Sequence, residues 1–184
     1  MELSDEEVVA RARTGDKEAF GVLYERNVER IYNYVYYRTG NVHDAEDLTA
    51  RVFQRAMNHI RSYQERGVPY SAWLYRIAHN LIANWHRDKK RKVEISLTDS
   101  PLVAKDPSPD MEVIKGQQRD NLLKIIKSMP EERQTLLILK FVEHLSNAEI
   151  GGIMGRSEGA IKSLYHRTLL SLRETLGDGE DYNF

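Results

Sequence analysis

Lys162, Ser163, His166 and Arg167 recur at helical spacing, so a single helix would show all four on one side. Lys and Arg can reach guanine edges or phosphates in a DNA major groove, and Ser and His add shorter hydrogen-bonding contacts. A second group is Trp73, Arg76, Asn80, Asn84 and Arg87. An aromatic ring beside amides and arginines suits unpaired bases, because rings stack on base faces and amides read base edges. The commoner arrangement with the same residues is a core tryptophan with a solvated polar flank. A third group is the carboxylates Asp44, Glu46 and Asp47. They lack companion metal ligands, and their place in a first helical turn is explained by stabilisation of a helix N-terminus.

The first group needs a short helix pair to present it. Ser146 with Glu149 three residues on forms a capping box for a helix that turns Ile150 and Ile153 inward. Gly155 supplies a corner. Ser157 caps a second helix, whose Ile161, Leu164 and Thr168 or Leu169 face the first, and Gly151 and Ala160 let the two axes approach. This is the pattern of a helix-turn-helix, and an ordinary helical hairpin has it too.

The other groups need a helical N-terminal half. Ser4 and Glu7 make a capping box for a helix ending near Thr14-Gly15, and a longer one runs from Asp16 to Thr39-Gly40 with Phe20, Leu23, Tyr24, Asn27, Ile31, Tyr34 and Val35 on one face. A third begins at Asn41 or Asp44 and turns Ala45, Leu48, Val52, Phe53, Ala56, Met57 and Ile60 inward, leaving a polar face for protein docking. Gly67 and Pro69 mark a loop over 61–69. The helix from Tyr70 to about Lys90 buries Leu74, Ile77, Ala78, Leu81, Ile82 and Trp85. From Val93 to Met111 periodicity stops amid three of the five prolines and an acidic excess, which reads as a linker. Helices resume at about Glu112, including one from Pro130 that packs Leu136, Leu137, Leu139, Phe141 and Val142. The tail after Gly177 is acidic and frayed.

The expected fold is therefore all-α, with two small helical domains over 1–92 and 112–184 joined by a flexible acidic linker over 93–111, the second domain containing the helix-turn-helix. A length of 184 residues with 41% hydrophobic residues suffices for such cores. There is no cysteine, which excludes disulfides, thiolate metal sites and cysteine nucleophiles. His79 and His86 share a side of one helix without a third ligand, and no serine sits in a nucleophile pattern. No catalytic residue, metal or cofactor is expected. The start MELSDEEVV lacks the features of a signal segment, and a cytoplasmic setting is expected. The net charge of −1 argues against strong DNA binding by the chain alone, despite the basic run from Arg87 to Lys92.

Three stretches carry a resemblance: DAEDLTARVF (44–53), YSAWLYRIAHNLIANWHR (70–87) and MPEERQTLLILKFVEHLSNAEIGGIMGRSEGAIKSLYHRTLLSLRE (129–174). The chain resembles the sigma-70 family of bacterial transcription initiation factors, in particular the small extracytoplasmic-function (ECF) group. The resemblance implies docking on core RNA polymerase through Asp44, Glu46, Asp47, Arg51 and Phe53 or their exposed neighbours. It implies opening of a −10 element and capture of a flipped base by Tyr63, Gln64, Arg66, Tyr70, Trp73, Asn80 and Asn84. Reading of a −35 element falls on Lys162, Ser163, His166 and Arg167, and an anti-sigma factor is implied as a further partner. Ala50-Arg51 stand where family members often carry glutamine or glutamate. The competing readings are a regulator that binds duplex DNA alone and, more remotely, a helical enzyme with a metal held around residues 43 to 47.

Overall fold

In a computed structural model of the chain, residues 3–64, 69–99, 125–126 and 128–176 are described. Every regular element among them is a helix, and the chain divides into two compact units, Met1–Pro109 and Asp110–Phe184.

In the first unit α1 (Asp5–Arg13) starts at the expected capping box, with Ser4 accepting from the Glu7 amide and the Glu7 carboxylate accepting from the Ser4 amide. Helix α2 (Lys17–Thr39) is capped by Asp16, which accepts from the Ala19 amide at 3.0 Å, and it stops at Gly40. There φ is +68°, a left-handed conformation that glycine adopts without steric cost. Helix α3 (Val42–His59) is capped by Asn41 and leads through a 3₁₀ turn, Ile60–Ser62, to α4 (Tyr70–Asp99). Contacts of α2 with α1, α3 and α4 bury Leu23, Ile31, Tyr34, Val35, Leu48, Val52, Leu74, Tyr75 and Leu81 in one core. Asn27 is buried as well, and its amide is satisfied by donating to the Leu23 carbonyl at 2.8 Å.

Helix α4 runs past Lys90 and through the first residues of the stretch expected to be linker. No glycine or proline occurs between Tyr70 and Asp99, so nothing local stops the helix before Pro101. The remainder of that stretch, from 100 to 111, lies outside the described residues.

The second unit contains α5 (Glu131–Leu137), a π segment (Ile138–Val142), α6 (Asn147–Met154) and α7 (Glu158–Leu176). Leu136, Leu139, Ile150, Ile153, Ile161 and Leu164 are buried, and Met129, Leu137 and Leu172 form a cluster covered by Ile125, Ile126 and Leu169. Phe141 and Val142 were expected inside but are exposed. The wider π turn closes with the Glu143 amide donating to the Ile138 carbonyl five residues back, and Phe141 and Val142 lie on its outer side.

The Ser146 box is present, with Oγ accepting from the Glu149 amide at 3.2 Å and the Glu149 carboxylate accepting from the Ser146 amide at 2.7 Å. Ser146→Ala is expected to cost about 1 kcal/mol of α6 stability. Hydrogen exchange would show it as lost protection at the amides of Glu149 and Ile150, with those of α2 unchanged.

Candidate functional site

In the second unit α6 and α7 pack through Ile150, Ile153, Ile161 and Leu164. Gly155, at φ +68°, closes α6, and its amide donates to the Gly151 carbonyl. The Arg156 amide donates to the same carbonyl at 2.9 Å, which draws the turn down onto the helix. A Cβ on Gly151 would lie 2.6 Å from the Arg156 carbonyl oxygen, so only glycine fits at this crossing. Ser157 caps α7 by accepting from the Ala160 amide at 3.2 Å. The Arg156 guanidinium pairs with Glu132 and so ties the turn to the start of α5.

This frame holds α7 with Ile161, Leu164 and Thr168 inward and Lys162, Ser163, His166 and Arg167 all exposed. The four side chains share one outward face, as their spacing predicts. Ser163 Oγ donates back to the Gly159 carbonyl at 3.0 Å, and Arg167 Nε donates to the Ser163 carbonyl at 3.4 Å. Lys162 Nζ sits 2.8 Å from Glu158 Oε1. That hydrogen bond, and then the lysine charge, hold the Glu158 carboxyl below its ordinary range. Glu158 is absent from the candidates read from the sequence, and a carboxylate in this first turn also stabilises the helix N-terminus.

In the first unit an aromatic cluster joins the end of α3 to the start of α4. Tyr63 and Trp73 have ring centroids 4.9 Å apart, Tyr70 and Trp73 5.6 Å, and Tyr63 meets Tyr70 edge-on at 5.6 Å. Tyr63 and Tyr70, both expected at the −10 element, are buried here, packed edge-on against each other and tilted against Trp73. Burial, and then the nearby Tyr63, push the Tyr70 hydroxyl well above its ordinary range, so it stays protonated. Trp73 is half-buried, and Gln64, Asn80 and Asn84 are exposed. At about 100° per residue, Asn80 and Asn84 lie within roughly 20° of Trp73 around α4, so the three make one stripe. Asn84 Oδ1 accepts from Arg87 Nη2 at 2.7 Å. Arg66 lies outside the described residues.

The first turns of α3 point Glu46, Asp47 and Arg51 into solvent, and Asp44 is half-buried. Asp47 is 3.7 Å from Arg51, and His43 is 4.0 Å from Glu46. Among the described residues, no three histidine, aspartate or glutamate side chains are grouped to hold a metal ion. Phe53, expected at the docking face, is buried edge-on against Tyr24 at 4.8 Å. Tyr24 and Met57, which periodicity assigned to the core, are the exposed apolar residues beside it, with Met57 at 55% exposure.

Comparison with known proteins places both halves. The model of Sigma-70 region 2 matches residues 23–92, and that of Sigma-70, region 4 matches residues 119–172. The ECF RNA polymerase sigma factor SigW of Bacillus subtilis is 32% identical over 187 residues, covering 97% of this chain and 100% of SigW. The ECF RNA polymerase sigma factor BldN of Streptomyces coelicolor is 36% identical over 175 residues, covering 94% of this chain, and this chain spans 66% of BldN. The sigma factor RpoE from Bartonella quintana, solved in complex with the anti-sigma factor NepR, aligns over 88% of this chain and 98% of its own with a TM-score of 0.67 at 22% identity, a likeness of fold.

Proposed function

Because the chain belongs to the ECF group of the sigma-70 family, we propose that it binds core RNA polymerase and directs it to promoters, reading a −35 element with one unit and opening a −10 element with the other. The observation that carries this reading is the exposed row Lys162, Ser163, His166 and Arg167 on the second helix of a helix-turn-helix, in a chain whose other unit carries the Trp73, Asn80 and Asn84 stripe.

Lys162 and Arg167 supply donors for guanine edges or phosphates, and Ser163 and His166 supply shorter contacts. In the other unit Trp73 offers a ring for stacking, and Asn80, Asn84 and Gln64 offer amides to base edges. Tyr63 and Tyr70 act as its backing, fixing the tilt of Trp73. No bond is made or broken. Capture of an extruded base offsets an unstacking cost of a few kcal/mol, so strands separate because the open form is bound better.

The net charge of −1 fits a factor that does not occupy duplex by itself: polymerase supplies non-specific affinity and holds two weak grips on one DNA. Glu46, Asp47 and Arg51, with the exposed Tyr24 and Met57, form the face proposed for polymerase, and Phe53 supports it from within. An anti-sigma factor is proposed as a further partner, as RpoE of Bartonella quintana has NepR. Among the described residues no helix is long and apolar enough to cross a membrane, and the setting proposed, that of core polymerase and promoter DNA, is the cytoplasm.

The test is transcription from a library of promoter fragments by core polymerase with and without the chain. Initiation at defined sites only in its presence is expected. Site-selective duplex binding by the chain alone, with no initiation, would instead favour the stand-alone regulator. Trp73→Ala and Asn80→Ala should reduce permanganate reactivity of the melted segment while closed-complex binding is retained. Unchanged reactivity would remove both residues from strand capture.

A further inference from the structure

The reading face of α7 carries an anion where a DNA reader would be expected to carry none. Glu158 is the first residue of the helix, its side chain is 51% exposed, and it extends along the row Glu158, Lys162, His166 at four-residue intervals. The other row on this face is Gly159, Ser163, Arg167. In a helix-turn-helix the N-terminal residues of the second helix contact base edges. The carboxylate therefore stands at the leading end of the reader, facing a polyanion, in a chain with no positive surplus to offset it.

Helix-dipole stabilisation would be satisfied by a carboxylate on any side of the first turn. Here the ion pair with Lys162 draws it onto the outward side, 2.8 Å from a side chain of the reading face. An ionised carboxylate only accepts hydrogen bonds. The major groove offers it two donors, the amino groups of cytosine and adenine, and adenine sets the acceptor N7 beside its own. Lys162 only donates, which suits the O6 and N7 of guanine.

Resting on the function proposed above, we infer that Glu158 is a specificity-determining residue that accepts from the N4 amino group of a cytosine in the −35 element, while Lys162 donates to a neighbouring guanine. In the free protein the two side chains satisfy each other. On DNA they exchange that bond for the two bases. The carboxylate thus excludes sequences that put an acceptor at its position, and a near-neutral chain gains selectivity where it forgoes raw affinity.

The experiment is selection of −35 sequences from a randomised promoter library by holoenzyme carrying wild type, Glu158→Gln or Glu158→Ala. The wild type should require cytosine at one position by on the order of 10-fold over other bases. Glu158→Gln should move that one preference toward adenine, whose N6 and N7 a glutamine amide matches in two bonds. Glu158→Ala should flatten it and tighten binding to all sequences. A wild type that selects no upstream element would sink the function proposed above. A wild type that selects one, with the same base preferences in all three proteins, would overturn the assignment of Glu158 alone.

Discussion

Gly151→Ala destabilises the second unit, and Gly152→Ala, one residue along the same helix, stabilises it. The two glycines have the same helix-propensity argument in their favour, since alanine is better than glycine in a helix by about 0.5–1 kcal/mol. Their surroundings differ. A Cβ at 152 meets nothing within 4 Å, whereas at 151 it would stand 2.6 Å from the Arg156 carbonyl oxygen and 3.6 Å from the Glu158 amide nitrogen. Both atoms belong to backbone, so no rotamer change relieves the contact, and α6 and the turn must separate. Overpacking of this kind costs about 1–3 kcal/mol, which exceeds the propensity gain. For a domain of this size each kcal/mol moves the melting midpoint by roughly 4–8 °C. Calorimetry of the full chain should show the transition of the second unit falling in Gly151→Ala and rising slightly in Gly152→Ala, with that of the first unit fixed. Transcription should follow the same order, because the turn that gives way is the one that aims α7. Equal effects from the two variants would mean that the close approach at Gly151 does not govern the turn.

The helix-turn-helix was legible because its signals are local. Ser146 with Glu149, Gly155 and Ser157 each state a backbone requirement within four residues, and each is found doing what its chemistry predicts. The face carrying Lys162, Ser163, His166 and Arg167 followed once Ile161 and Leu164 were placed inward. What periodicity missed depends on partners distant in sequence. Met57 and Tyr24 fit an apolar stripe, yet both stay at the surface beside the buried Phe53. The cluster of Tyr63, Tyr70 and Trp73 joins a residue that follows the 3₁₀ turn to residues at the start of α4, so no window on one helix displays it. The π turn that leaves Phe141 and Val142 outside has no composition signal. The continuation of α4 to Asp99 follows from the absence of any glycine or proline before Pro101, a signal masked by the loss of periodicity, the prolines and the acidic excess across 93–111.

On the function proposed here, loss of both Lys162 and Arg167 should produce a large defect in promoter selection. Each base-edge contact contributes about 1–3 kcal/mol of discrimination, so removing two should lower selection for the upstream element on the order of 100-fold. The single changes are not equivalent. Arg167 donates to the Ser163 carbonyl, and its removal leaves no charge behind. Lys162→Ala removes the neighbouring cation that offsets the charge of the Glu158 carboxylate close to DNA, so it should be the more damaging of the two. Glu158→Ala added to Lys162→Ala should recover part of the binding, though not the guanine preference, a non-additivity that a double-mutant cycle on holoenzyme affinity would measure. A template whose −10 segment is already unpaired separates this defect from a defect in opening. The Lys162→Ala and Arg167→Ala double variant should initiate on such a template almost as well as wild type, because the stripe of Trp73, Asn80 and Asn84 lies on the other unit. If the double variant fails equally on both templates, its lesion lies in assembly with polymerase and α7 is not the upstream reader. If the two single variants and the double all bind alike, this face makes no base contacts.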